Sequence, residues 1–198
     1  MDLLNNYQVL EGEIVSLRPL EVKHREALLS ASSDGELSSL WFTSVPDEAK
    51  IDKYLETAFE QYKQRTALPY VVYHKKAKRI IGMTRICNAD LTNRRVEIGY
   101  TWYAKSFQRT GVNTECKLLL LTHAFEKLNA IAVEFRTHWH NLTSRNAIAR
   151  LGAKQDGILR NHKIHPDGQL RDTVVFSIIN SEWPMVKKSL QYKQFQHR

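Results

Sequence analysis

Cysteine is scarce in this sequence: Cys87 and Cys116 are its only two, far apart and in no Cys-x-x-Cys arrangement. That excludes a disulfide scaffold and a cysteine zinc site, and it predicts two buried free thiols. No apolar run approaches the roughly 18 residues of a membrane-spanning helix, and the opening MDLLNNYQVLEG has neither the basic nor the apolar region of a secretion signal, so a cytoplasmic protein is expected. Repeats, low-complexity tracts and linkers are also missing. The 198 residues therefore read as one domain, 1–198, long enough to bury a sizeable core without metal or disulfide support. Acid is the minority charge, with 21 Asp and Glu against 29 Lys and Arg, a net charge of +8 that favours an anionic partner. A nucleic acid, an acidic protein and a phosphorylated cofactor all meet that description. The basic residues are spread through amphipathic elements rather than gathered in a tail, which weighs against direct nucleic-acid binding.

The hydrophobic fraction of 42% and the charged fraction of 25% are those of an ordinary globular chain. EIVSLRPL (13–20) reads as a short strand closed by Pro19. Helices follow over 23–33, stopped by Asp34-Gly35, and over 47–65, where Ile51, Leu55, Ala58, Phe59 and Tyr62 recur at helical spacing behind Pro46-Asp47. PYVVYHK (69–75), RIIGMTRIC (79–87) and RRVEIGYTWY (94–103) read as a three-strand antiparallel meander. Strict alternation in the last puts Val96, Ile98, Tyr100 and Trp102 on one face, and Glu97, Gly99, Thr101 and Tyr103 on the other.

Asn113 or Thr114 is then expected to cap a helix running to about Leu128 whose broad apolar face calls for a sheet beneath it. A strand over 130–139 and a short helix over 143–153, ended by Gly152, come next. GILRNHKI and LRDTVVFSII flank HPDGQ as a hairpin, and Ser181 is expected to cap a short last helix. The order β, α, α, three strands, α, β, α, hairpin specifies a mixed α/β (α+β) domain.

The stretch QRTGVNTECK (108–117) lies between a strand and an apolar helix, where unpaired backbone N–H groups and the positive end of the helix dipole gather. Gly111 allows close backbone approach or a positive φ, and Gln108 and Arg109 add side-chain donors, which is the chemistry of a phosphate site. By spacing alone it serves equally as a plain strand-to-helix turn.

The series Gln108-Arg109-Thr110-Gly111-Val112-Asn113 resembles the (Gln/Arg)-x-x-Gly-x-(Gly/Ala) pyrophosphate loop of the GNAT superfamily of acyl-CoA N-acyltransferases. EIGYTWY (97–103) looks like the splayed fourth strand of that superfamily. NLTSRNAIARLGA (141–153) and RDTVVFSIINSEWP (171–184) are similar to its RimJ/RimL branch, whose members acetylate protein α-amino groups. The resemblance spans roughly 13–184 and departs from the pattern at two points: Asn113 stands for the last small residue of the loop, and Ala153 for the usual aromatic after Leu-Gly. It implies a mostly antiparallel central sheet of about six to seven strands with helices on both faces.

It also implies an enzyme moving an acetyl group from acetyl-CoA, without a metal, to a protein N-terminus or a small amine by direct attack in a ternary complex. A non-catalytic acyl-CoA-binding regulator and a nucleic-acid-associated protein are the competing readings. The amides of Gln108, Arg109, Thr110, Gly111, Val112, Asn113 and Thr114 would hold the pyrophosphate, and a backbone N–H near Tyr100, Thr101 or Trp102 the thioester oxygen. Asn141 would serve both cofactor and chemistry. The tyrosine that many members use toward the thiolate aligns with Ile148, leaving Ser144 as the donor, though Asn141 and Ser144 are equally good helix-start residues. Glu97 is the candidate base, directly or through water, with pairing to Arg94 or Arg95 as its plainer reading.

His138 and His140 alternate on one strand but lack a third ligand at a fixed offset, and Cys116 runs into leucines; both read as structural. The amine pocket is expected around WFTSVP (41–46) and RNHKIHPDG (160–168), with Trp41, Phe42, His162 and Lys163. The apolar C-terminal segment is the candidate surface for a homodimer.

Overall fold

The computed structural model describes residues 2–165 and 167–196. Its sheet has eight strands in the order β1-β2-β3-β4-β5-β6-β8-β7. They are β1 (Leu10–Glu11), β2 (Val15–Pro19), β3 (Leu68–His74), β4 (Arg79–Asp90), β5 (Arg95–Tyr103), β6 (Ala132–His138), β7 (Lys154–Ile164) and β8 (Leu170–Ile179). The two-residue β1, antiparallel to β2, is the strand that sequence periodicity missed, since two residues carry no alternation. The splayed strand, fourth by the sequence reading, is therefore β5. Every neighbouring pair is antiparallel except β5 and β6, whose parallel register holds only Arg95 to Ala132, Val96 to Val133 and Glu97 to Glu134.

Helices cover both faces: α1 (Arg25–Ser33) and α2 (Ile51–Lys63) on one side, and α3 (Val112–Thr122), α4 (Leu142–Arg150) and α5 (Trp183–Phe195) on the other. Leu28, Ala31, Ile51, Leu55 and Ala58 pack with Val71, Met83 and Trp102 to make the smaller core. The larger core joins Leu120, Leu121, Ile148, Trp183 and Leu190 to the opposite side chains of the strands. α3 runs on into a π turn at His123–Lys127, so the predicted end near Leu128 holds.

Two caps differ from expectation. Gly111 is the N-cap of α3, so neither Asn113 nor Thr114 caps it. Glu182, not Ser181, precedes α5, which is 13 residues long rather than short, and its Trp183, Val186 and Leu190 are spent on the chain's own core. Gly152 does end the α4 segment with φ +102, a conformation that favours glycine. Gly168 has φ +85 in the β7–β8 turn, where His165 N–H meets Gln169 O at 2.8 Å; Pro166 of the same turn lies outside the described residues. Cys87 and Cys116 are both free and buried.

α3 is anchored at its other flank by Glu115, buried in its first turn. The carboxylate accepts the N–H groups of Glu13 and Ile14 at 2.8 Å and of Val15 at 2.7 Å, and Gln194 of α5 also donates to it. A charge there is tolerated because three main-chain donors replace its water.

Candidate active site

β5 does not keep the strict alternation its sequence suggests. Met83 of β4 faces Trp102 and Arg85 faces Gly99, so one intervening residue of β4 stands opposite two of β5. The surplus residue is Tyr100, with φ +52, and the result is a β-bulge. Past it the faces exchange. Thr101 and Tyr103 join Val96 and Ile98 on the α3 side, while Trp102 turns to the α1–α2 core with its Nε1 donating to Tyr54 Oη at 3.2 Å. The expectation that Glu97 shares a face with Thr101 fails for that reason. Arg85, fully buried, props the bulge: its guanidinium sits 4.6 Å from the ring centre of Tyr54 and 4.1 Å from that of Tyr100. Gln61 Oε1 and Tyr54 O accept from it at 3.0 and 3.2 Å.

Because the β5–β6 ladder stops at Glu97 and β6 continues to His138 against β8, the two strands part from Ile98 onward. A cleft of about 1050 Å³ opens there, lined by Ile98 to Tyr103 on one wall and Phe135 to His138 on the other. It runs from Gln108, Arg109, Thr110 and Asn113 to Asn141 and Ser144 of the α4 start, and under Leu40, Phe42 and Thr43 of the α1–α2 connection.

At the mouth of α3 the first i→i−4 hydrogen bond is Glu115 N–H to Gly111 O at 3.0 Å, which leaves the preceding amides unused by the helix. Val112 N–H is met by Thr110 Oγ1 at 3.3 Å, and that hydroxyl donates to Phe107 O at 2.8 Å. Gln108 Nε2 ties the loop to Tyr103 O at 3.0 Å, and Tyr103 Oη donates to Asn113 Oδ1 at 3.2 Å. Of the two uses expected of Gly111, close approach or a positive φ, the second falls on Arg109 instead, φ +58, while Gly111 has φ −65. The side chains of Val112 and Thr114 are buried, so of these residues only the main chain can face a ligand.

Asn141 caps α4: its Oδ1 accepts Ser144 N–H at 3.0 Å, and among the described residues the Ser144 hydroxyl has no hydrogen-bond partner. Glu97 is set back from the cleft wall. It is 9% exposed, accepts from Asn88 Nδ2 at 2.8 Å and stands 3.7 Å from Arg136 Nε. Burial holds its carboxyl above the usual range, with the Asn88 hydrogen bond opposing. Among the described residues Arg94 makes no ion pair with it, and Arg95 pairs with Glu134.

Sequence reasoning missed Lys117, Arg136 and Arg171, all of which line the cleft. Lys117, four residues after Asn113 and so on the same helix face, was detectable as a cation inside an apolar run. It is 5% exposed, and burial lowers its ammonium to a pKa of about 8. His138 is not solitary. Its Nδ1 accepts His140 N–H at 3.0 Å, so Nε2 carries the hydrogen and donates to His165 Nε2 at 3.1 Å, and Trp41 stands edge-on 4.9 Å from its ring centre. Burial, then Arg171 and His165, push His138 down to about 4, leaving it neutral at physiological pH. Of the other residues expected at the amine pocket, Phe42 reaches the cleft, and His162 turns to Thr173 Oγ1 at 3.1 Å. Among the described residues no group of three or more His, Cys, Asp or Glu side chains is disposed to hold a metal ion, and no helix is long and apolar enough to cross a membrane.

A sheet that parts beside a bulge, with a helix starting where it parts, is the architecture of acyltransferases of the GNAT type. The family described as acetyltransferase (GNAT) domain matches residues 15–154, and the chain belongs to it. YdaF of Bacillus subtilis (strain 168), provisionally named a ribosomal N-acetyltransferase, is 31% identical over 179 residues, covering 87% of this chain and 94% of that protein. A GCN5-related N-acetyltransferase from Brucella melitensis superposes with a TM-score of 0.86 at 30% identity, over 95% of this chain and 86% of that one. Mycobacterium smegmatis RimJ, solved in complex with CoA-disulfide, shares the fold with a TM-score of 0.77 at 21% identity, over 94% and 91% of the two chains. The chain is thus a GNAT acetyltransferase.

Proposed function

We propose that the chain transfers the acetyl group of acetyl-CoA to the α-amino group of a protein N-terminus, of the ribosomal-protein kind. The observation that carries this reading is the single cleft that joins the free amides at the start of α3 to the parted edges of β5 and β6. YdaF, with its ribosomal name, supports the acceptor class.

The residues present suit the coenzyme. The open amides of Arg109, Thr110, Gly111, Asn113 and Thr114, the helix dipole and the Arg109 side chain form a diphosphate seat, and the β5 edge offers main-chain pairing to an extended amide-bearing arm. Acetyl-CoA would supply the carbonyl carbon that the amine attacks; a C–N bond forms and a C–S bond breaks. N–H groups of β5 around Tyr100 to Trp102 stabilise the oxygen as its charge grows. Ser144, with an uncommitted hydroxyl, donates to the departing sulfur, and Asn141 fixes Ser144 by capping its amide. Glu97, withdrawn behind Gly99, takes the amine proton through water. A free α-amino group with a pKa near 8 needs little help to be neutral, which suits a relayed base.

Thermal melting with and without micromolar acetyl-CoA tests the cofactor, and thiol release across N-terminal peptides and small amines tests the acceptor. A stabilising shift together with release by peptides is expected. No shift would remove the reading, and release by small amines alone would move the acceptor.

A further inference from the structure

The cleft is lined by Lys105, Arg109, Lys117, Arg136, Arg150 and Arg171 against a single acid, Glu36. Lys105 and Arg109 flank the start of α3 and suit the coenzyme phosphates. Arg136 and Arg171 belong to the other wall. Thr173 faces His138 and Val175 faces Arg136 across β6 and β8, so Arg171 shares their side of the sheet, opposite the core that holds Val174, Phe176 and Ile178. That is the side over which Trp41 and Phe42 pass.

The two arginines differ in how their charge is met. Arg136 is bound to Glu134 at 2.8 Å and stands 3.7 Å from Glu97. Arg171 has no ion pair or side-chain hydrogen bond among the described residues, and its Nε is buried without a partner. Glu97, the acid whose field it feels, is already engaged by Asn88 and Arg136. His138 beside it is neutral and brings no negative charge. A buried guanidinium donor is seldom left unpaired, because its lost hydration goes uncompensated, and its planar fork matches a carboxylate or phosphate.

We infer that Arg171 is a specificity residue, reading a carboxylate or phosphate that the acceptor carries close to its amine, on the same residue or the next. This rests on the acetyl-transfer reading above and narrows its substrate class to anionic amines. The same chemistry comes from a peptide beginning Ser-Asp or from a small free amine such as O-phosphoserine.

Calorimetric titration of the CoA-saturated protein separates these cases without needing turnover. The probes are the amidated peptides Ser-Asp-Ala-Ala and Ser-Asn-Ala-Ala, together with O-phosphoserine. The Asp peptide is expected to bind about tenfold more tightly than its Asn twin, a preference lost in Arg171→Met and partly kept in Arg171→Lys. Melting temperature and the CoA-induced shift of Arg171→Met, compared with wild type, show that fold and cofactor site are intact. Tighter binding of O-phosphoserine than of either peptide assigns the anion to a small metabolite. Equal affinities in the wild type, a preference that survives Arg171→Met, or no binding by any probe overturns the inference. Thiol release with the same probes reports separately: binding without release would sink the acetyl-transfer reading and leave the role of Arg171 standing.

Discussion

Lys117 Nζ lies 2.6 Å from Thr101 Oγ1, and among the described residues that hydroxyl is its one hydrogen-bond partner. Thr101 in turn shares a hydrogen bond with Thr84 at 2.8 Å, so the amine is buried against neutral groups alone. A folded pKa of about 8 against an ordinary 10.5 means that the folded state holds the proton less firmly than the unfolded chain. Below about pH 8 both states are charged and folding bears the full cost, on the order of 3 kcal/mol. Between pH 8 and 10.5 the folded lysine is neutral and the cost fades. Lys117→Met is therefore expected to gain about 1–3 kcal/mol at pH 7, an advantage that shrinks toward pH 10.5. Urea melts at the two pH values check it, and a gap that stays constant contradicts it.

Arg109 holds the left-handed conformation in the loop proposed to seat the coenzyme phosphates. Arg109→Gly removes backbone strain of about 1 kcal/mol and adds a similar entropy to the unfolded chain, so the melting temperature should barely move. The coenzyme loses a cation, and its dissociation constant should rise roughly threefold to tenfold. Gly111→Glu, by contrast, sets a carboxylate at the proposed phosphate seat and should abolish the CoA-induced melting shift. A normal shift in Gly111→Glu would contradict the phosphate assignment.

Glu115 satisfies three main-chain N–H groups at the start of β2. Glu115→Ala takes the carboxylate acceptor from these donors, of which Val15 N–H is buried, and should cost about 2–4 kcal/mol. Gly12 lies against the same carboxylate: a Cβ built there would come within 2.6 Å of Glu115 Cδ and Oε2, so Gly12→Ala should also destabilise. Equilibrium denaturation of the two variants measures both effects. Wild-type stability for Glu115→Ala would show that the donors find water.

Glu97 and Ser144 are expected to separate by pH. Ser144→Ala should lower kcat about tenfold or more at all pH values, with little change in the KM for acetyl-CoA. Glu97→Gln should remove the acid limb of the rate profile. Asn88→Ala deletes the hydrogen bond that lowers the Glu97 pKa, and should move that limb to higher pH. A limb that ignores both changes would exclude Glu97 as the proton acceptor.

The sheet-and-helix order was legible because most elements carry their own period and their own stops, from Pro19 to Gly152. The open turn at the start of α3 was legible because it is local, built from consecutive residues. What escaped was set by pairing across distance. Nothing in RRVEIGYTWY announces the bulge at Tyr100, which arises from the mismatch with β4 and from Arg85 wedged between two tyrosine rings. Arg171 and His138 come together only through the β6–β8 register. His165 reaches His138 from 27 residues away, a separation that no local spacing rule spans.

Gly111 and Glu115 stand four residues apart on one helix turn, the first at the proposed doorstep of the coenzyme and the second stitched to the start of β2. Anything that stiffens the doorstep must also quiet the stitching, so the amides of residues 13–15 should exchange with deuterium more slowly once the coenzyme is seated. A label at that distant rim would then report occupancy without touching the cleft.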